Sequence, residues 1–285
     1  MQRLRINHLT VYQFSSPVTL QPHRLLLRPR EGHNIRIESL QLDIAPAHQI
    51  KWSRDVLDNA LAVVSFQAGG PRLSIGSEVI IQHYDVAPLD FIVEDYAVRY
   101  PFEYLPEERV DLAPFQQLVY PQQRTVLHHW LEQLGLTQGS IETYVLLDRL
   151  NRTIASQFQY VVREEPGVQP PAQTLLSRSG SCRDYATLFI EVCRTLGLAS
   201  RFVSGYSHTP AAEADKATTH AWAEVYLPGP GWKGFDPTAG ELTGSRHIPV
   251  AVARHPESVP PVAGSFIGPN GPAPILSVDV RVTAI

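Results

Sequence analysis

The chain has 285 residues, of which 44% are hydrophobic and 18% charged, and its formal net charge is −4. This composition is typical of a globular protein with room for about two domains, and it excludes an intrinsically disordered chain. The small negative charge gives no reason to expect nucleic acid or an anionic membrane surface as a partner.

The start of the chain alternates between polar and apolar residues and lacks the apolar core of a signal peptide. No stretch approaches the ~18 uncharged apolar residues of a membrane-spanning helix. We therefore expect a cytoplasmic protein with no membrane partner.

The region up to about residue 115 has the pattern of β-structure, because segments rich in Val, Ile, Leu, Tyr and Thr are separated by turn-forming clusters. Short strands at this spacing predict a β-sandwich or an open barrel. The histidines of this region are scattered, and we find no catalytic constellation among them. The predicted strands are 3–12, 18–29, 34–44, 60–67 and 72–86.

Helices and strands mix in the rest of the chain. Apolar residues at helical spacing predict helices, and short β-branched or aromatic runs predict strands. The predicted helices are 122–134, 140–157, 171–178 and one that begins at Cys182 and ends at Gly197. The predicted strands are 158–162, 200–206, 220–227, 232–236 and 276–282.

Cys182 lies where the last of these helices begins. Ser181 is a suitable N-cap, Asp184 can complete a capping box, and Arg183 is a candidate partner for the Asp184 carboxylate. A thiol in the first turn points at unpaired backbone N–H groups and at the positive end of the helix dipole, and both favour the thiolate. The other cysteine, Cys193, falls on the apolar face of the same helix, too far along it for a disulfide. We expect it to be an inert core residue.

His220 and Asp236 follow Cys182 in the chain, on two strands that form a predicted hairpin. A three-residue loop centred on Gly229 would set Asp236 opposite Trp222, one diagonal step from His220. Diagonal neighbours are roughly 7–8 Å apart at the backbone, within reach of a histidine–aspartate hydrogen bond. A cysteine, a histidine and an aspartate can act together as nucleophile, base and orienter.

Each of these residues also has a structural interpretation. A cysteine before an apolar stripe, a histidine in a strand and an aspartate before Pro-Thr are each more often structural than catalytic. Their occurrence together favours catalysis. A zinc site built from Cys182, His220 and Asp236 is possible by ligand type but would be an unusual set, so we predict no metal and no cofactor. The polar segment 207–218, just before His220, is a candidate cover for the cleft.

The motifs GSCRDYA at 180–186, HAWAEVY at 220–226 and GWKGFDPT at 231–238 resemble those of the transglutaminase-like superfamily. The β-rich first part is similar to the N-terminal domain of bacterial members, including LLRPR at 26–30. The resemblance implies an α+β fold, with a β-sandwich-like domain over 1–115. It implies a papain-like core with a C-terminal strand over 116–285, in which the cysteine helix packs on an antiparallel sheet.

The resemblance also implies that Cys182, His220 and Asp236 are nucleophile, base and orienter, in agreement with the assignment from the residues themselves. The expected activity is cysteine-dependent acyl transfer on peptide or glutamine-type amides through a thioester, with hydrolysis favoured. The expected partner is a peptide or protein substrate. Two alternatives stay open: a protein-glutamine γ-glutamyltransferase that cross-links, and a non-catalytic peptide-binding module.

Overall fold

A computed structural model of the protein describes residues 1–84, 89–163, 165, 167–208 and 219–285. The first part of the chain consists of strands, as predicted. These strands are β1 (Gln2–Leu20), β2 (His23–Leu25), β3 (Ile35–Ala45), β4 (His48–Arg54), β5 (Ala60–Phe66) and β6 (Gly70–His83).

Helices and further strands follow. The helices are α1 (Pro106–Gln116), α2 (Arg124–Gln133), α3 (Thr143–Gln157), α4 (Pro171–Ser177) and α5 (Cys182–Thr195). The strands are β7 (Arg99–Tyr100), β8 (Ile141–Glu142), β9 (Gln159–Tyr160), β10 (Ser179–Gly180), β11 (Ser200–Ser207), β12 (Thr219–Leu227), β13 (Gly231–Asp236), β14 (Glu241–Leu242), β15 (His247–Ala253), β16 (Val262–Ala263), β17 (Phe266–Ile267) and β18 (Ile275–Ala284). Within the described part of the chain, no helix combines the length and the apolar character that crossing a bilayer requires.

The N-terminal strands form two sheets that share an apolar core. In one sheet β1 lies between β18 and β6, and β3 follows β6; in the other the order is β16–β2–β5–β4. Apolar side chains from both sheets pack into one cluster, as alternating strands of a sandwich do. The buried residues of this cluster are Phe14, Val18, Leu20, Leu25, Leu27, Ile44, Ala62, Val64, Leu73 and Ile75.

Strand β1 differs from its prediction. The sequence predicted separate strands at 3–12 and 18–29, whereas β1 continues to Leu20 and only the short β2 follows it. The register against β6 shifts between Gln13 and Val18. Such an irregularity interrupts the polar–apolar alternation without ending the strand, which explains why one strand has the sequence pattern of two.

The second part is built on a sheet with the order β14–β13–β12–β11–β15, on which α5 packs. All but one residue of α5 is buried, so this helix is the centre of the core rather than a surface element. The α+β class and the cysteine helix on an antiparallel sheet are confirmed. Side chains from α5, such as Phe189, belong to the same apolar cluster as Leu4 and Ile81 of the N-terminal sheet.

The C-terminal strand β18 does not extend the sheet under α5. It pairs antiparallel with β1, from Leu4 opposite Ala284 to Gln13 opposite Ile275. The last strand thus completes the N-terminal sheet, and the division of the chain into 1–115 and 116–285 stays a prediction. Helix α1, which lies at that predicted boundary and contains Pro114, was not predicted.

Candidate active site

Cys182 is the first residue of α5 and follows directly on strand β10. This residue is buried, with 9% of its surface exposed, and it lines a cavity. His220 lines the same cavity. The backbone N–H of Cys182, the first residue of the helix, has no partner within the helix, so it is available to a negatively charged atom beside Cys182.

Asp184 holds the start of this helix in place. Its fully buried carboxylate accepts hydrogen bonds from the backbone N–H and the hydroxyl of Ser181, both at 2.8 Å, which completes the predicted capping box. It also accepts the backbone N–H of Gln169 at 2.7 Å. Its ion-pair partner is Arg163 at 2.9 Å and not Arg183, whose guanidinium donates to backbone carbonyls. The predicted pairing with the adjacent arginine is therefore wrong.

The hairpin that carries His220 and Asp236 has the predicted geometry. Ala223 pairs with Phe235 and Leu227 with Gly231, so the connecting loop consists of residues 228–230. This register brings the side chains of His220 and Asp236 together, with 2.6 Å between Nε2 and Oδ2. A loop one residue longer or shorter would put them on opposite faces.

The electrostatics of the pair favour a charged imidazolium. Burial alone would lower the pKa of His220, but the hydrogen bonds to Asp236 and Cys182 and the charges of both groups outweigh it and raise the pKa from 6.5 to about 10. Burial would raise the pKa of Asp236, but hydrogen bonds from two histidines lower it far below its usual value. Both shifts stabilise the ionised pair.

The second of these histidines is His247, the first residue of β15. The sequence analysis did not identify it as a site residue. Its Nε2 lies 3.0 Å from the same Oδ2 of Asp236, and the other carboxylate oxygen accepts the backbone N–H of Thr238 at 2.9 Å. No motif surrounds His247, since it simply precedes an apolar run. The nitrogens of His220 and His247 and an oxygen of Asp236 all lie within 4.8 Å of one another, so among the described residues these three, rather than a set that includes Cys182, could hold a metal ion.

A cavity of about 800 Å³ opens beside Cys182 and His220. One wall belongs to the second part of the chain, and the opposite wall is formed by the N-terminal sheet. That sheet contributes His8, Thr10, Tyr12, Leu276, Val278 and Val280 to the lining. Another cavity of about 840 Å³ lies over β3 and β4 and is lined by none of the predicted site residues. The cavity beside Cys182 is therefore the candidate site.

His8 connects the two walls. Its ring nitrogens lie 2.9 Å from the hydroxyls of Tyr206 and Thr10. Burial lowers the pKa of His8 to about 4, so the ring is neutral at neutral pH. No residue near His8 in the chain singles out this histidine, because its partner Tyr206 lies far away in the chain. The segment 207–218, the candidate cover, falls mostly on residues 209–218, which lie outside the described residues.

The two cysteines differ in accessibility. Cys193 is fully buried, and burial raises the pKa of its thiol, as expected for an inert core residue. We expect iodoacetamide at neutral pH to alkylate Cys182 at least about ten times faster than Cys193, because only Cys182 reaches a cavity and lies beside an imidazolium. Peptide mapping by mass spectrometry measures both rates, and the urea-unfolded protein, in which the rates converge, is the control. Equal labelling of the folded protein would contradict an activated Cys182.

Comparison with known proteins places this architecture in a family. Residues 133–237 match the model of the transglutaminase-like superfamily, and residues 4–82 match the bacterial transglutaminase-like N-terminal region. The chain belongs to the transglutaminase-like superfamily. The family that the sequence motifs suggested is thus confirmed. Membership supports an activity of the cysteine-dependent acyl-transfer or protease-like kind.

This transglutaminase-like protein has full-length relatives. It is 30% identical over 301 residues to the uncharacterized protein Rv2569c of Mycobacterium tuberculosis, with 98% of this chain and 92% of the relative covered. It is 24% identical over 291 residues to the uncharacterized protein ML0607 of Mycobacterium leprae, with both chains covered completely. A solved structure named "Putative Cysteine Protease from Cytophaga hutchinsonii" has a TM-score of 0.75 and 17% identity, with 100% of this chain and 91% of that chain covered. At this identity the last match shows a shared fold.

Proposed function

We propose that the protein is a cysteine-dependent acyl transferase that acts on peptide amides, with hydrolysis as its main reaction. The observation that carries the proposal is the 2.6 Å hydrogen bond between His220 and Asp236. The imidazole ring of His220 lines the same cavity as Cys182. A structural histidine needs no accessible thiol beside it, whereas an acyl transfer requires a nucleophile, a proton donor and space for a substrate.

In the first step the Cys182 sulfur attacks the amide carbonyl carbon, forming a C–S bond and placing the negative charge on the carbonyl oxygen. The backbone N–H of Cys182, in the first turn of α5, is a donor for that oxygen. His220 then protonates the leaving nitrogen, the C–N bond breaks, and a thioester remains.

In the second step His220, now neutral, takes a proton from water, whose oxygen attacks the thioester carbonyl. The C–S bond breaks, the carboxylic acid leaves, and Cys182 and the imidazolium are restored. Asp236 keeps the ring oriented throughout, since its hydrogen bond fixes Nε2 and leaves Nδ1 for the sulfur. A primary amine in place of water would give transamidation through the same thioester.

The cavity favours a substrate with apolar side chains. Leu276 and Val278 on the N-terminal wall are 54% and 50% exposed, and Val162 on the other side is 80% exposed. Among the polar lining residues, Arg163 is held by Asp184 and His8 by Tyr206. Exposed apolar side chains around a cleft indicate a binding surface, because burying them against a ligand is favourable.

A peptide library rich in apolar residues, incubated with and without a primary amine, tests the proposal. Hydrolysis gives shortened peptides whose masses do not depend on the amine, and transamidation gives products that contain the amine. We expect shortened peptides in both samples. If products form only with the amine, the main reaction is transamidation, as in cross-linking enzymes, and not hydrolysis. If the peptides bind without any change in mass, the non-catalytic alternative is supported.

The raised pKa of His220 predicts where activity ends at alkaline pH. Because the leaving nitrogen needs a proton from His220, kcat/KM should hold at neutral pH and fall as the pH rises through about 10, the pKa of His220. Asp236→Asn removes a charge that raises this pKa, so the alkaline limb should move to lower pH. A pH–rate profile of both proteins checks the shift, and an unchanged limb in the variant would contradict the assignment.

A further inference from the structure

Asp236 accepts hydrogen bonds from two imidazole rings. The first, at 2.6 Å, comes from His220, which lines the cavity. The second, at 3.0 Å, comes from His247, and both rings use Nε2 and share the same oxygen, Oδ2. Among the described residues, those that line the cavity include neither Asp236 nor His247. His247 thus contacts the aspartate without lining the cavity.

The local turn fixes which nitrogen of His247 carries the proton. The backbone N–H of Gly244 donates to Nδ1 at 3.3 Å, and the backbone N–H of His247 donates to the Gly244 carbonyl at 2.9 Å. An Nδ1 that accepts a hydrogen bond carries no proton, so the neutral ring must carry it on Nε2. The proton of His247 is therefore directed at Asp236.

Packing prevents the ring from turning away. The side chain of His247 is only 4% exposed, and it meets the ring of Trp222 edge to face, with centroids 5.2 Å apart. Strand β15 pairs with β11, where His247 lies opposite Ser207. Trp222 is itself fully buried beside His220. The imidazole of His247 is thus held at Nδ1 by Gly244 and packed against Trp222, so its Nε2–H can point only at Asp236.

We infer that His247 is a positioning residue that acts through Asp236: its Nε2–H holds the carboxylate ionised and oriented toward His220. The inference rests on the proposed function. A buried carboxylate that must orient a charged imidazole gains from each donor it accepts, and a lowered pKa of Asp236 agrees with a second histidine donor.

A metal ion bound by the same atoms is the competing interpretation. Such an ion would have to replace the Nε2 protons of both His220 and His247. The hydrogen bond from Gly244 to His247 would survive that exchange. The 2.6 Å between His220 Nε2 and Asp236 Oδ2 is a hydrogen-bond distance, however, and is shorter than the roughly 3.3 Å that separates neighbouring ligand atoms of a tetrahedral zinc ion. The geometry thus favours protons over a metal, and the experiment separates the two.

The test compares His247→Phe and His247→Gln with the parent protein, on a peptide that the library identifies. Phenylalanine keeps the ring and removes the donor, so kcat should fall roughly 10- to 100-fold, the range typical of supporting hydrogen bonds behind a reactive group. KM should change little, because His247 does not line the cavity. The glutamine variant supplies an amide N–H and should recover part of the loss. His128→Gln, at an exposed position on α2, is the matched control and should match the parent.

A second measurement does not depend on turnover. In spectra of protein labelled with 15N-histidine, at neutral pH, we expect the His247 signals, identified by their loss in the variants, to report protonated Nε2 and bare Nδ1. A His247 ring whose only proton is on Nδ1, with Nε2 bare, would overturn the inference. So would an unchanged kcat in a folded His247→Phe protein, an equal kcat for the Phe and Gln variants, or activity that EDTA removes and Zn²⁺ restores. Turnover that survives without Cys182 would instead refute the proposed function and leave the spectral result to stand alone.

Discussion

Replacing Cys182 with alanine is expected to lower kcat/KM for peptide cleavage by about 10,000-fold or more, because the thioester cannot form without the sulfur. Removing the nucleophile of a catalytic set typically removes nearly the whole contribution of that set, since its members act as a unit. The fold should remain, because alanine fits the first turn of a helix and the side chain it replaces reaches a cavity. Steady-state cleavage of the library peptide, followed by mass spectrometry, measures the effect.

Cys193→Ala is the matched control for this experiment. It removes the other cysteine of the same helix from a fully buried position, so it should lower stability slightly and leave kcat/KM close to the parent value. If the two variants lost activity equally, the effect would reflect damage to α5 rather than loss of a nucleophile. If Cys182→Ala retained activity, the mechanism would be wrong.

Asp184→Ala is expected to lower the free energy of unfolding by about 3–5 kcal/mol, the usual effect of removing one partner of a buried ion pair. The carboxylate is fully buried and accepts hydrogen bonds from Ser181, Gln169 and Arg163. Without it these donors lose their acceptor, and the start of α5, where Cys182 lies, loses its cap. Urea denaturation measures the stability, and cleavage assays should show that activity falls with it.

Two further variants define what Asp184 contributes. Asp184→Asn keeps the shape and removes the charge, so its stability should lie between the parent and the alanine variant. Asp148→Ala breaks an ion pair with Arg152 on the surface of α3 and should have a much smaller effect, because water screens such pairs. An Asp184→Ala protein as stable as Asp148→Ala would show that the buried cap does not hold the helix.

The parts of the site that the sequence could predict are those fixed by local rules. The cap at Ser181 and Asp184 follows from helix chemistry, and the position of Asp236 relative to His220 follows from the length of one hairpin loop. In both cases a few neighbouring residues determine the geometry, so the pattern carries the information.

The role of His247 and the N-terminal wall of the cavity could not be predicted from the sequence, because they depend on contacts between residues far apart in the chain. His247 meets Asp236 because β15 pairs with β11, and His8 meets Tyr206 because the N-terminal strands share an apolar core with β11. No pattern in the neighbouring sequence indicates either contact. The wrong pairing of Asp184 has the same origin: Arg183 is adjacent in sequence, but the first turn of α5 points it elsewhere, and Arg163 arrives from the preceding loop.

The pairing of β18 with β1 has a consequence for biosynthesis. A ribosome delivers Cys182, His220 and Asp236 well before it delivers Ile275–Ala284, the strand that supplies Leu276 and Val278 to the groove. Until then the partner edge of β1 stays open and the groove lacks a side. Because β18 pairs with the first strand of the chain, this side of the cavity is completed only after almost all the other residues that line it have been synthesised.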